Sequence, residues 1–93
     1  MTNPELGAVA VSRAGHDKGI AFVILGRVEE EYVLLCDGRT RKLASPKKKK
    51  LRHVHIESVK AEEIAQKLIS GQPLTDADMR KALTRLGYNL DRQ

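Results

Sequence analysis

The sequence predicts an α+β fold in which a small five-stranded β-barrel is followed by a C-terminal two-helix hairpin. Apolar residues alternate with a period of two, broken by turn residues, as far as Ile56, and helical spacing with capping residues begins at Glu57. The chain has 93 residues, too few for two independent cores. We therefore expect one small core, built from a barrel segment (residues 1–56) and a helical segment (residues 57–93).

The first two strands are predicted on either side of a turn that contains glycine. Residues 7–12 place Val9 and Val11 on one face with small alanines opposite, which is typical of a short half-buried strand. Residues 14–19 are rich in turn-forming types, and residues 20–28 are apolar and β-prone. Three glutamates at 29–31 then indicate a solvated turn.

Three further strands are expected to complete the barrel. Residues 32–36 and 40–43 flank Asp37 and Gly38, and an Asp-Gly pair supplies the positive φ angles of a type I′ hairpin turn. Pro46 is expected to end this pairing, because proline cannot donate to a strand ladder. Lysines 47–50 would then cross the surface, and residues 54–56 would close the sheet as a short fifth strand.

The helical segment carries clear start and stop signals. Apolar residues at 64, 65, 68 and 69 share one helix face, and Gly71 follows where a left-handed cap belongs, which predicts a helix from about residue 60 to 70. Thr75 and Asp78 form a capping-box pattern, and Gly87 marks the end of a second helix. The two helices either pack on the barrel and enlarge its thin core, or expose an apolar face to a partner.

Positive charge is concentrated in the barrel segment. The formal net charge is +5, and residues 1–56 hold 11 Lys and Arg against 6 Asp and Glu, whereas residues 57–93 hold 6 of each. Between Arg39 and His55 there are eight Lys or Arg residues and no acidic one. Such a one-sided basic surface is typical of proteins that bind nucleic-acid phosphates.

A strand, a basic glycine-containing turn and a second strand follow one another in the segment VAVSRAGHDKGIAFVI, which begins at Val9. This segment resembles a KOW motif, with Gly15, Asp17, Lys18 and Gly19 in its turn. The resemblance extends over residues 7–56 and is to bacterial KOW-domain proteins related to a group of archaeal and eukaryotic large-subunit ribosomal proteins. It implies an SH3-like barrel, RNA binding, and association with ribosomal RNA or the ribosome. One departure is Ala21, since many KOW motifs carry a further glycine in residues 20–22.

The turn and the basic run together give the candidate RNA-binding site. Glycines let backbone N–H groups approach a phosphate closely, and the neighbouring cations add charge. The residues that we expect to contact RNA are Arg13, Lys18, Arg39, Arg41, Lys42, Lys47, Lys48, Lys49, Lys50, Arg52 and His53. Because aromatic residues are scarce, we expect recognition of structured RNA by shape and phosphate contacts, with base stacking on an exposed Tyr32 as the alternative.

Other functional classes are less well supported by the sequence. It shows no Ser-His-Asp set, no paired catalytic carboxylates and no Walker-type loop, so we expect neither an enzyme nor a cofactor or small-molecule substrate. Cys36 and the three histidines lack metal-ligand spacing, and no metal is expected. A single cysteine, no signal-peptide pattern and no long apolar stretch indicate a cytoplasmic protein without a membrane partner.

Two alternatives to RNA binding remain open. The chain could be a protein-interaction module of the translation or transcription machinery, docking through the barrel or the C-terminal helices. The helical hairpin could also be a DNA-binding helix-turn-helix, although Asp76 and Asp78 offset the cations of its second helix.

Overall fold

The structure is a computed structural model that describes residues 6–92, and the side chains of residues 6–91. Five strands form one antiparallel sheet in the order β4-β3-β2-β1-β5, and two helices follow. This confirms the predicted α+β class. The strands are β1 (Ala8–Ser12), β2 (Ala21–Val28), β3 (Tyr32–Cys36), β4 (Lys47–Lys50) and β5 (Val54–Lys60), and the helices are α1 (Glu62–Ser70) and α2 (Asp76–Arg85).

The sheet is open, with β4 and β5 as its two edges, so its hydrogen bonds do not close a barrel. It is nevertheless strongly curled. Only the 3-10 turn Leu51–His53 separates β4 from β5, and four residue steps reach at most about 14 Å. In a flat sheet these outer strands would lie about 19 Å apart, since each strand spacing is close to 4.8 Å. The two edges must therefore bend toward each other.

The curl creates two apolar layers on opposite faces of the sheet. The inner layer consists of strand residues together with Ile20, which precedes β2, and Phe22, Ile24 and Leu35 in it are fully buried. Neighbouring positions on the same strands, such as Val23 and Cys36, face outward and pack under the helices. Period-2 alternation thus supplies both layers from the same strands.

The predicted fourth strand at residues 40–43 is wrong. Residues 38–45 form bends and turns, and the lysine run itself is β4, paired with β3 from Tyr32↔Lys50 to Leu35↔Lys47. The type I′ turn is also wrong, because Gly38 has φ +79° but Asp37 does not adopt a positive φ. Instead, Asp37 Oδ1 accepts the N–H groups of Arg39 (3.0 Å) and Arg41 (2.8 Å), so its side chain organises a wider loop.

Both helices end where the sequence predicts, and α2 also begins there, whereas α1 begins at Glu62 because β5 continues to Lys60, the predicted start. Gly71 caps α1 in the left-handed conformation, and Thr75 and Asp78 make both hydrogen bonds of a capping box at the start of α2. Ile64, Met79 and Leu83 are buried against the outer face of the sheet. The helices therefore pack on the sheet, which is the first of the two interpretations that their spacing allowed.

The helical segment is tied to the strands along its length. The predicted boundary after Ile56 falls inside β5, which continues to Lys60 and leads into α1 through the buried Ala61. Near the C-terminus, the Asn89 side chain receives a hydrogen bond from Ala21 N and donates one to Ala21 O (2.9 and 2.8 Å). No helix within residues 6–92 has the length and apolar character needed to span a membrane.

Candidate nucleic-acid interface

The lysine run divides into two pairs because β4 alternates its side chains. Register with β3 places Lys47 and Lys49 on the inner face, beside Leu35 and Val33. Lys48 and Lys50 point to the outer face, beside Leu34 and Tyr32. The four consecutive lysines therefore have two different environments.

Lys49 is the centre of a buried polar cluster rather than a surface cation. Its side chain is 7% exposed, and Nζ donates to Ser12 Oγ (2.8 Å), Ala14 O (2.7 Å) and Asp17 Oδ1 (2.7 Å). An ammonium has three N–H donors, so all of them have acceptors inside the protein. Lys49, which the sequence suggested as an RNA contact, thus holds the loop of residues 14–19 against β4.

Asp17 is the anionic member of this cluster. Its carboxylate is almost fully buried, and Oδ1 accepts a hydrogen bond from Ser12 Oγ (2.7 Å) besides that from Lys49. Its other oxygen, Oδ2, lies 3.2 Å from Lys47 Nζ in an ionic contact. Burial alone would raise the pKa of Asp17, but the contacts with Lys49, Ser12 and Lys47 outweigh it and hold the pKa well below its ordinary value. Asp17 therefore remains charged and neutralises part of the inner lysine pair.

An open groove of about 430 Å³ lies over this cluster. None of its lining residues is acidic. They are Ala14, Gly15, Tyr32, Lys47, Lys48, Lys49, Lys50 and His53. The structure thus brings Ala14 and Gly15 of the glycine turn next to Tyr32, the lysine strand and His53, which all come later in the sequence.

Tyr32 is the aromatic residue of this groove, although we expected it from the sequence only as an alternative contact. Lys48 Nζ lies 4.5 Å and Lys50 Nζ 6.0 Å from the centre of its ring. Lys48 also forms an exposed ion pair with Glu29 (2.7 Å), which raises the pKa of Lys48. The signal for this arrangement was the period-2 alternation of the lysines, once β4 is paired with β3.

The turn of residues 14–19 presents side chains more than backbone donors. Gly15 and Gly19 have φ near +90°, a conformation that glycine adopts without steric cost. The N–H groups of Lys18 and Gly19 donate to Gly15 O and Ser12 O, which occupies them within the turn. The side chains of Lys18 and Arg13 are exposed, and Arg13 N donates to His53 O (2.8 Å), which places Arg13 next to His53.

Six predicted contacts do not line the groove, namely Arg13, Lys18, Arg39, Arg41, Lys42 and Arg52. Of these, Arg39, Arg41 and Lys42 are exposed residues of the loop between β3 and β4, which is held against α2. There Arg80 Nη1 donates to Gly38 O (2.7 Å), and Leu43 N donates to Asp76 Oδ1 (2.8 Å). The basic run of residues 39–53 is therefore divided between the groove, this loop and the exposed Arg52.

A larger groove of about 670 Å³ adjoins Lys50, but its charge does not suit a polyanion. It carries three carboxylates against three cations. Its lining residues are Arg27, Glu29, Glu30, Glu31, Lys50, Leu51 and Arg52. The smaller groove, which has the lysines and no carboxylate in its lining, is the better candidate for phosphate binding.

The remaining reactive groups have structural surroundings. Cys36 is fully buried, and burial raises the pKa of its thiol to about 11, so it behaves as a small apolar side chain. His55 Nδ1 and Tyr88 Oη both contact the Glu57 carboxylate, at 2.7 and 2.8 Å. Within residues 6–92, no three His, Cys, Asp or Glu side chains are grouped so that they could hold a metal ion.

Comparison with known proteins does not assign this arrangement to a family: no family model matches the chain, and no curated protein shows significant similarity to it.

Proposed function

We propose that this chain is a cytoplasmic RNA-binding protein that associates with ribosomal RNA or the ribosome. The curled five-stranded sheet would be the SH3-like barrel of a KOW domain, as the resemblance of residues 7–56 implies. The observation that carries the proposal is the groove of about 430 Å³ whose lining has four lysines, a histidine and a tyrosine, against two neighbouring carboxylates, those of Asp17 and Glu29.

The groove's charge is suited to a phosphate backbone. Lys48 is exposed, and Lys47 and Lys50 are partly exposed, whereas Lys49 is occupied internally. Arg13 and Lys18 extend the cationic surface along the turn, and Arg52 extends it beyond His53. Contacts with phosphates release counterions, so RNA affinity should fall steeply as salt rises.

Docking of a protein through the helices is supported less well. That alternative depends on an apolar helix face left uncovered. Ile64, Met79 and Leu83 are buried against the sheet, and Ile69, which was expected on the same face as Ile64, is instead 74% exposed. The helices also give no cationic surface comparable to the groove, since acidic and basic residues are balanced in residues 57–93.

Binding to a structured RNA hairpin, measured by fluorescence anisotropy over a range of salt concentrations, tests the proposal. The double variant Lys48→Gln/Lys50→Gln should bind more weakly. Its slope of log affinity against log salt should be shallower by about 1.5, since each phosphate contact contributes about 0.7–0.9.

A matched variant, Lys67→Gln/Lys81→Gln, removes the same charge from the helices and should bind like the wild type. Equal losses in both variants would show that only net charge matters, and the proposed groove would be wrong. The ribosomal target is tested separately, by crosslinking in cells and sequencing the attached RNA. A majority of ribosomal sequences is expected, and their scarcity would overturn that part of the proposal.

A further inference from the structure

We propose that the groove binds an unpaired nucleotide of its RNA, with the base stacked on the Tyr32 ring and the flanking phosphates held by Lys48 and Lys50. The groove is the one assigned to RNA above, so this nucleotide is bound there only if the chain binds RNA at all. The proposal specifies the ligand as RNA that is bulged, looped or single-stranded at the contact.

Tyr32 is the aromatic side chain that could stack a base here. The chain has one Phe, two Tyr and no Trp. Phe22 is fully buried in the inner apolar layer, and Tyr88 packs on the outer core with its hydroxyl bonded to Glu57. Tyr32, by contrast, is half-buried and lines the groove. Base-aromatic stacking tolerates any base, because every base has a π face.

The ammonium groups of the two outward lysines lie over this ring, Lys48 Nζ 4.5 Å and Lys50 Nζ 6.0 Å from its centre, so a base that stacks on the same face displaces them toward its own phosphates. Lys50 is directly opposite Tyr32 in the strand register, and Lys48 lies two residues away on the same face, a separation of about 7 Å along a strand. That separation is comparable to the distance between successive phosphates of a nucleic-acid strand. Lys48 now pairs with Glu29, but exposed ion pairs contribute little, so a phosphate can replace the carboxylate.

The requirements of stacking favour an unpaired nucleotide over a duplex. Within a duplex each base is already stacked between its neighbours and has no free face, so a duplex would contact the lysine ammonium groups without stacking on the ring. An unpaired base can leave its own stack and lie on an aromatic side chain. Paired and unpaired RNA should therefore differ in their dependence on Tyr32.

Two blunt-ended RNA duplexes that differ only by one bulged nucleotide distinguish these modes, because a hairpin would itself offer unpaired loop nucleotides. Wild type and Tyr32→Phe, which keeps the ring, should bind the bulged duplex more tightly than the fully paired one. Tyr32→Leu should lose about five- to 150-fold in affinity for the bulged duplex, the range measured for loss of one stacked base, and little for the paired one. Equal affinity of the wild type for both duplexes, or an equal loss on both, would overturn the proposal.

Tyrosine fluorescence gives a readout that does not depend on the folding of Tyr32→Leu. Because the chain has no Trp, Tyr32 is the single emitter in a Tyr88→Phe background. The bulged duplex should quench this emission and the paired duplex should not. Absence of quenching by the bulged duplex would also overturn the stacked nucleotide. If neither duplex binds at low salt, the proposed function itself fails. If both bind equally and Lys48→Gln/Lys50→Gln weakens both, only the stacking proposal fails.

Discussion

Replacing Lys49 by methionine should remove the central contact of the buried cluster beneath the groove. The substitution keeps an apolar stem of similar length but leaves Asp17, which is 5% exposed, without its closest cation. Removing one partner of a buried ion pair costs about 3–5 kcal/mol, because the remaining charge has no compensation. Lys47 remains 3.2 Å from Asp17 Oδ2, so we expect the lower end of this range, about 3 kcal/mol.

Urea and thermal unfolding, followed by far-UV circular dichroism, measure this loss. For a chain of this size, about 3 kcal/mol corresponds to a melting temperature lower by about 12–24 °C. Lys48→Met is the matched control, since it removes a neighbouring lysine whose ion pair is exposed, and it should leave the melting temperature nearly unchanged. Asp17→Asn combined with Lys49→Met should recover part of the loss, because no charge is left buried. The reasoning is refuted if Lys49→Met is as stable as Lys48→Met.

Two further predictions concern pH and the loop after β3. The pKa of Asp17 is lower in the folded than in the unfolded chain, so its stabilising contribution is fully present above the ordinary pKa of 3.8 and is lost as the pH falls toward the folded pKa. The free energy of unfolding of the wild type should therefore fall more steeply below about pH 4 than that of Asp17→Asn. Parallel acid-unfolding curves for the two proteins would contradict this assignment. Gly38→Ala should lower the free energy of unfolding, measured in urea, by more than Gly71→Ala does. Both glycines have positive φ, which costs alanine about 1–2 kcal/mol. A Cβ at Gly38 would in addition clash with Asp76 O, whereas a Cβ at Gly71 would have no atom within 4 Å. Equal costs would show that the loop is not held against α2.

Local signals explain which elements could be predicted from the sequence. The β3 strand and the ends of both helices were predicted well, because a short apolar run, a capping box and a glycine cap act within a few residues. The lysine strand was missed because its residues are poor β-formers, and the Asp-Gly pair gave a strong competing signal. Two effects override that propensity. The segment pairs with β3, and lysines are favoured on an edge strand because their charge prevents pairing with further strands.

The candidate site could be predicted in composition but not in arrangement. Period-2 alternation separates Lys47 and Lys49 from Lys48 and Lys50 once a strand is assumed, but it does not say which pair is buried. Burial of Lys49 depends on Asp17, which is 32 residues away, and on Ser12 in another strand. Such long-range contacts follow from the curl of the sheet and leave no local pattern in the sequence.

The most direct test of RNA binding in the groove is a chemical-shift titration of the ¹⁵N-labelled chain with a structured RNA hairpin at low salt. The account predicts that the largest amide shifts arise at residues that line the groove, namely Gly15, Tyr32, Lys48, Lys50 and His53, and that they diminish as salt is added. Shifts concentrated on α1 and α2, or no shifts at low salt, would contradict it.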